Sequence, residues 1–185
     1  MKNSKITWKI TQGMYVLTVG NGGCIVDAVS QVSGDENPII SVAVMKKNNT
    51  NALMKENNFF ALSVLPKKVD GNIIKTFGFA SSRDINKFEK IETTEVMGVK
   101  TIKDSIGYMV LEKVYETENT THTLFLGRLA EGDIMRDEEP MSYGYYKDHK
   151  DELLKVTTED GKTAWVCTVC GYVYYGEEVP DDYVC

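Results

Sequence analysis

The residues best suited to chemistry lie in the stretch "AWVCTVCGYVYYGEEVPDDYVC", where two residues separate Cys167 from Cys170 and Cys185 follows further on. A C-x-x-C turn presents both thiolates to one ion. Gly171, directly after it, has the backbone freedom that lets N–H groups point at sulfur. Tetrahedral thiolate sites suit zinc or iron, and the spacing by itself admits both, a structural zinc ribbon being the plainer reading. A segment of this size buries too little apolar area to fold alone, so it requires a metal. The remaining cysteine, Cys24, sits far upstream in the apolar alternation "GGCIVDAVSQVS" and reads as a small buried core residue rather than a ligand.

Beyond the cysteine pair, this stretch resembles rubredoxin, through Cys167, Cys170, Gly171, Tyr172, Tyr174, Pro180, Asp181, Tyr183 and Cys185. The span between the two knuckles is shorter than in free-standing rubredoxins and is similar to the compact version fused to other redox domains. The resemblance implies one iron, held by cysteines and shuttling a single electron, with zinc as the alternative ion. It also places a fourth cysteine three residues past Cys185, as "P-x-C-G", so a site built from three thiolates alone would be weak and open to water.

Those cysteines need a host. With 185 residues the chain is long enough for one full hydrophobic core and one small appendage. The net charge of −6 disfavours a nucleic-acid partner, which needs clustered Lys and Arg. Residues 164–185 hold no Lys or Arg but four carboxylates, Glu177, Glu178, Asp181 and Asp182, a distribution suited to a basic partner surface and equally to a solvated face. Apolar runs such as "FFALSVL" are too short to span a bilayer, and residues 1–20 lack the pattern of a secretory signal, so a cytoplasmic protein without a membrane segment is expected.

The host reads as mainly β with short helices. "MYVLTVG", "CIVDAVSQVS" and "PIISVAVM" are successive strand candidates, the first followed by the turn signal "NGG". Thr50 is placed to cap a helix over "NALMKENN", and "FFALSVLP" follows as a strand closed by Pro66. "DGNIIKTFGF" and "SRDINKFEK" read as short helices, and "SIGYMVLEKVYETE" with "THTLFLGRLAEGDIM" as a long antiparallel pair. From 147 to 163 the sequence turns polar and charge-dense, a linker with helical potential, which divides the chain into residues 1–146, 147–163 and 164–185. "GNGG" lacks the G-x-G-x-x-G spacing and opens a strand, so it is no dinucleotide fingerprint.

The pieces "ITQGMYVLTVGNGG", "CIVDAVSQVS", "VAVMKKNNTNALMKENNFFALSVLP", "FGFASSRDINKFE", "THTLFLGRL" and "PMSYGYY", in that order, resemble the flavin reductase-like family. The resemblance implies an FMN-binding split β-barrel of Greek-key type, a homodimer with flavin sites at its interface, and NAD(P)H as a possible hydride donor. It implies that Ala28, Val29, Ser30, Gln31 and Ser33 line the flavin. Lys46, Asn48, Asn49 and Thr50 would meet its phosphate or ribityl chain, and Phe77, Ser82, Arg83 and Tyr143 would contribute nearby. His122 would contact the ring or the incoming nicotinamide as the catalytic residue. On residue type alone Lys46 and Lys47 read as a solvated loop, Arg83 as an ion-pair partner of Asp84, His122 as a hydrogen-bonded structural residue, and Tyr143, Tyr145 and Tyr146 as interface residues.

A flavin accepts a hydride as an electron pair and releases electrons singly, which links the two resemblances. The expected protein is an electron-transfer flavoprotein that passes reducing equivalents from NAD(P)H or another donor through FMN to a rubredoxin-type iron and on to an acceptor protein. The alternative is a flavin reductase that supplies free reduced flavin, its cysteine segment zinc-bound or vestigial.

Overall fold

The computed structural model describes residues 3–154 and the short strand segments 156–157, 163–166 and 173–175. Seven antiparallel strands form one sheet in the order β2-β1-β5-β8-β9-β4-β3. They are β1 (Tyr15–Val19), β2 (Gly22–Val26), β3 (Val29–Gln31), β4 (Ile39–Met45), β5 (Phe59–Val64), β8 (Gly107–Glu118) and β9 (His122–Ile134). β2 and β3 occupy opposite edges of this order, yet only Asp27 and Ala28 separate them in the chain. Two residues reach at most about 7 Å. The sheet must therefore curl until its edges nearly meet, giving a half-closed barrel, and Ala43 N donates to Ala28 O across the corner at 3.1 Å.

The β1–β2 hairpin turns at Gly20, whose φ of +53° suits glycine. Residues of β1 alternate between two cores because successive side chains point to opposite faces. Leu17 and Val19 enter the barrel interior with Val42, Phe60, Leu62 and Phe125. Met14 and Val16, on the other face, join a second core with Leu65, Ile73, Ile74, Phe77, Met141 and Leu154.

Two helices cover that second core. In α2 (Gly71–Gly78), Asp70 caps the start by accepting from Asn72 N at 2.9 Å, and Ile73, Ile74 and Phe77 are buried. In α3 (Tyr143–Leu153), Ser142 caps the start by accepting from Tyr145 N at 3.0 Å. The end of α3 lies so close to the start of α2 that a Cβ on Gly71 would sit 1.9 Å from Leu153 O. The expected boundary at residue 146 thus falls inside a helix, and the packed unit continues through buried Leu154.

Three local expectations need correction. Helix α1 (Asn49–Glu56) takes Asn48, in extended conformation, as its N-cap, while Thr50 is buried in its first turn. Residues 82–90 form turns rather than a helix. There Arg83 N donates to Ser81 Oγ and Phe88 N to Asn86 Oδ1, local bonds that compete with helical ones. The "CIVDAVSQVS" stretch is two strands on opposite sheet edges, not one.

An unanticipated hairpin, β6 (Thr93–Val96) and β7 (Val99–Ile102), turns through Met97 and Gly98, both at positive φ. It docks where Ile102 N donates to Ser63 Oγ at 3.0 Å. The strands β10 (Val156–Thr157), β11 (Thr163–Val166) and β12 (Val173–Tyr175) form a separate small antiparallel sheet. Cys167, Cys170 and Cys185 lie outside the described residues. Among the described residues no cluster of His, Cys, Asp or Glu can hold a metal, and no helix is long and apolar enough to cross a membrane.

Candidate functional site

Where the second core meets β2 and α1, packing leaves a cavity of about 500 Å³. This lies within the range of roughly 300–1,000 Å³ usual for small-molecule and cofactor sites. Its walls come mainly from five pieces of chain: residues 23–25 of β2 with Asp27 at its exit, 47–50 at the start of α1, Ile74 and 77–78 of α2, the stretch 79–83 with Lys87, and Tyr143 and Tyr146 of α3.

Glycine at the end of the hairpin makes this approach possible. A Cβ on Gly23 would stand 2.4 Å from Leu17 O and 3.1 Å from the Phe77 ring, and one on Gly22 would stand 2.7 Å from Ser82 Oγ. The "NGG" stretch therefore serves as a tight turn and a seat for the neighbouring walls.

The wall at α1 is polar. Asn48 makes no side-chain capping bond to its own helix, so the first-turn N–H groups stay without a side-chain acceptor, an arrangement that favours an anion. Asn48 and Thr50 instead stand beside the Cys24 thiol, whose pKa burial pushes up against their opposing effect. Cys24 is a buried core residue, as its sequence context suggested, and it also reaches the cavity surface. Lys47 adds a cation at the same end.

The opposite wall combines aromatic and polar groups. Phe77 of α2 and Phe79 just after it contribute rings, and Tyr143 and Tyr146 of α3 lie tilted to each other with centroids 6.1 Å apart. Burial pushes the Tyr146 phenol up. Ser82 Oγ is buried without a hydrogen-bond partner, and such a hydroxyl costs about 1–3 kcal/mol unless a ligand satisfies it. Arg83 completes this rim.

Of the expected site residues, Asn48, Asn49, Thr50, Phe77, Ser82, Arg83 and Tyr143 converge on this one cavity from three separate stretches of sequence. Others lie elsewhere. Ala28, Val29, Ser30 and Gln31 follow the edge strand β3, where Gln31 Nε2 donates to Ser33 O at 2.8 Å and Ser33 Oγ accepts from Ile39 N at 2.9 Å. Lys46 pairs with Glu118 at 2.9 Å, and Lys55 bonds the same carboxylate. Those two lysines, Lys55 foremost, push Glu118 down to about 2. His122 opens β9 opposite Met45, with its ring Nδ1 2.8 Å from Thr121 Oγ1.

Sequence reasoning missed Lys87, which is 2 % exposed and lines the cavity. Within "DINKFEK" a lysine reads as solvated, and no local signal distinguishes it, because its burial is created by α2 and β2 closing over it.

The cavity's contents fit a flavin: a slot flanked by rings for an aromatic tricycle, a partnerless hydroxyl, and donors and cations for a phosphate. Comparisons with known proteins agree. The family model described as "Flavin reductase like domain" matches residues 8–154. A high molecular weight rubredoxin of Moorella thermoacetica is 29% identical over 93% of this chain and 82% of its own. A ferric-chelate reductase (NAD(P)H) of Archaeoglobus fulgidus is 32% identical over 88% of this chain and 94% of its own. Among solved structures, the NADH:FAD oxidoreductase of Streptomyces globisporus superposes with a TM-score of 0.69 at 19% identity, covering 75% of this chain and 84% of that one, and so bears on the fold alone. The chain belongs to the flavin reductase-like domain family of oxidoreductases.

Proposed function

We propose that this chain is an electron-transfer flavoprotein that binds FMN in the cavity between β2, α1, α2 and α3. Reduced nicotinamide supplies the electrons, and they leave singly through a thiolate-ligated iron held by Cys167, Cys170 and Cys185. The observation that carries the reading is the cavity itself, with a partnerless Ser82 hydroxyl beside aromatic rings at one wall and an uncapped helix start with Lys47 at the other. The names of the two curated relatives, one a rubredoxin and one an NAD(P)H-dependent reductase, support the donor and the iron outlet.

In this reading Asn49, Thr50 and Lys47 hold the phosphate end, and Ser82 with Arg83 takes a polar edge of the cofactor. Phe77, Tyr143 and Tyr146 bound the ring and exclude water from it. Bound FMN supplies the conversion of a hydride pair into single electrons. His122, Ala28, Val29, Ser30, Gln31, Ser33 and Lys46 contribute from a second copy or contact the nicotinamide, since they lie away from the cavity lining of their own chain. A homodimer is part of this proposal. Val114, Tyr115, Ile134 and Met135 leave apolar surface exposed on the long β8–β9 hairpin, as an interface would.

The test is the anaerobic absorbance spectrum of the full chain before and after NADH. Flavin bands and ferric-thiolate absorption, both bleached, are expected. A protein that retains no flavin but reduces added flavin with NADH would support the reductase-supply alternative. A colourless protein that does neither would sink the proposal.

A further inference from the structure

The cavity contains a charge for which the protein provides no counter-ion. Lys87 is buried, and its Nζ donates to Gly23 O at 2.8 Å and Phe77 O at 3.4 Å while lying 5.5 Å from the Phe77 ring centroid. Two carbonyls and a ring face offset an ammonium only in part, and one of its three protons remains to be donated. Every ion pair among the described residues joins a lysine or arginine to a carboxylate near the surface, and none includes Lys87.

The other ionisable groups lining the cavity do not supply the missing charge. They are Cys24 and Asp27 from β2 and its exit, Lys47 ahead of α1, Arg83 from the loop, and Tyr143 and Tyr146 from α3. Asp27 is the one carboxylate of this group, and it forms no ion pair with Lys87. Burial raises the pKa of both Cys24 and Tyr146 and so disfavours their charged forms. A buried cation left in this state is costly unless something else neutralises it.

We propose that Lys87 is the fixed counter-charge for an anionic group of the flavin that fills this cavity. The inference rests on the flavin reading above. The anion is either the phosphate or the negative charge of the reduced ring, and both present the same chemistry to an ammonium. Burial lowers the Lys87 pKa and the neighbouring Cys24 offsets part of that, leaving it at about 8. An adjacent anion raises it again, so a neutral amine becomes an ammonium as the ligand arrives.

Calorimetric titration of the flavin-free full chain with FMN at pH 8.5, in two buffers of different ionisation enthalpy, counts the protons. About three quarters of the amines are unprotonated at that pH, so the wild type takes up roughly 0.7 proton per FMN. K87M takes up none. K87R, always charged, binds without uptake and keeps the test sound if K87M folds poorly. Uptake with oxidised FMN but not with riboflavin identifies the phosphate as the anion, and uptake with reduced flavins only identifies the ring. FMN binding with uptake below about 0.1 proton in both oxidation states, or uptake that persists in K87R, overturns the role of Lys87 while leaving the flavin site intact. Failure of FMN to bind at all overturns both.

Discussion

The two cores on either face of β1 are built from the same strand and differ in what they enclose. The barrel interior is closed by large apolar side chains such as Leu17, Phe60, Leu62 and Phe125, each essentially inaccessible. The layer under α2 and α3 is equally apolar at its base, through Val16, Ile74 and Met141, but at its β2 end it opens into a cavity with Lys87 and a partnerless Ser82. Packing alone accounts for the first core. The second retains a buried cation and an unsatisfied hydroxyl that packing does not explain, and such groups persist where a ligand completes them.

Substitutions should separate the two regions. The largest effect is expected for Phe60→Ala, which empties the barrel interior and should lower unfolding free energy by about 3–5 kcal/mol in urea titrations, with or without FMN. Next is Gly71→Ala, whose methyl would collide with Leu153 O; a loss of about 1–3 kcal/mol tests whether α3 is an integral part of the unit.

Lys87 gives a smaller effect of opposite kind. Its folded pKa of about 8 lies below the ordinary lysine value of 10.5, so between these values the unfolded chain binds more protons and stability rises with pH. From pH 8 to 9 the flavin-free wild type should gain about 1 kcal/mol relative to K87M. The comparison is best made below pH 9, because the buried Cys24 thiol keeps its proton and pulls the other way above that. Smallest is Ser82→Ala: flavin-free stability should rise by about 1 kcal/mol, since an unsatisfied buried hydroxyl is removed, while FMN affinity falls about tenfold. An equal loss of stability in S82A and Phe60→Ala would erase the distinction between the cores.

The strands were legible because their alternation survives folding: "MYVLTVG" and "PIISVAVM" become β1 and β4. The corner at Asp27 and Ala28 was not, because a two-residue break between apolar runs gives no sign that the chain is crossing from one sheet edge to the other. The stretch 82–90 has helical composition, yet the Ser81 and Asn86 side chains divert its N–H groups into turns. The β6–β7 hairpin escaped notice because Met97 adopts a positive φ that its residue type does not advertise.

At the site, polar residues beside a helix start, Asn48 to Thr50, could be picked out by their position in the chain. The KKNNT pair divided the other way from expectation, with Lys47 at the cavity and Lys46 on Glu118. Lys87 could not be found at all without the tertiary structure.

The most direct test of the central claim is FMN binding to a variant whose cavity is filled. Ala80 lines the cavity from the loop after α2 and takes no part in either hydrophobic core. Ala80→Trp should leave the unfolding midpoint within a few degrees of wild type and weaken FMN binding at least about a hundredfold, close to 3 kcal/mol, by fluorescence titration. A stable Ala80→Trp protein that binds FMN as tightly as wild type would place the flavin elsewhere and contradict the account.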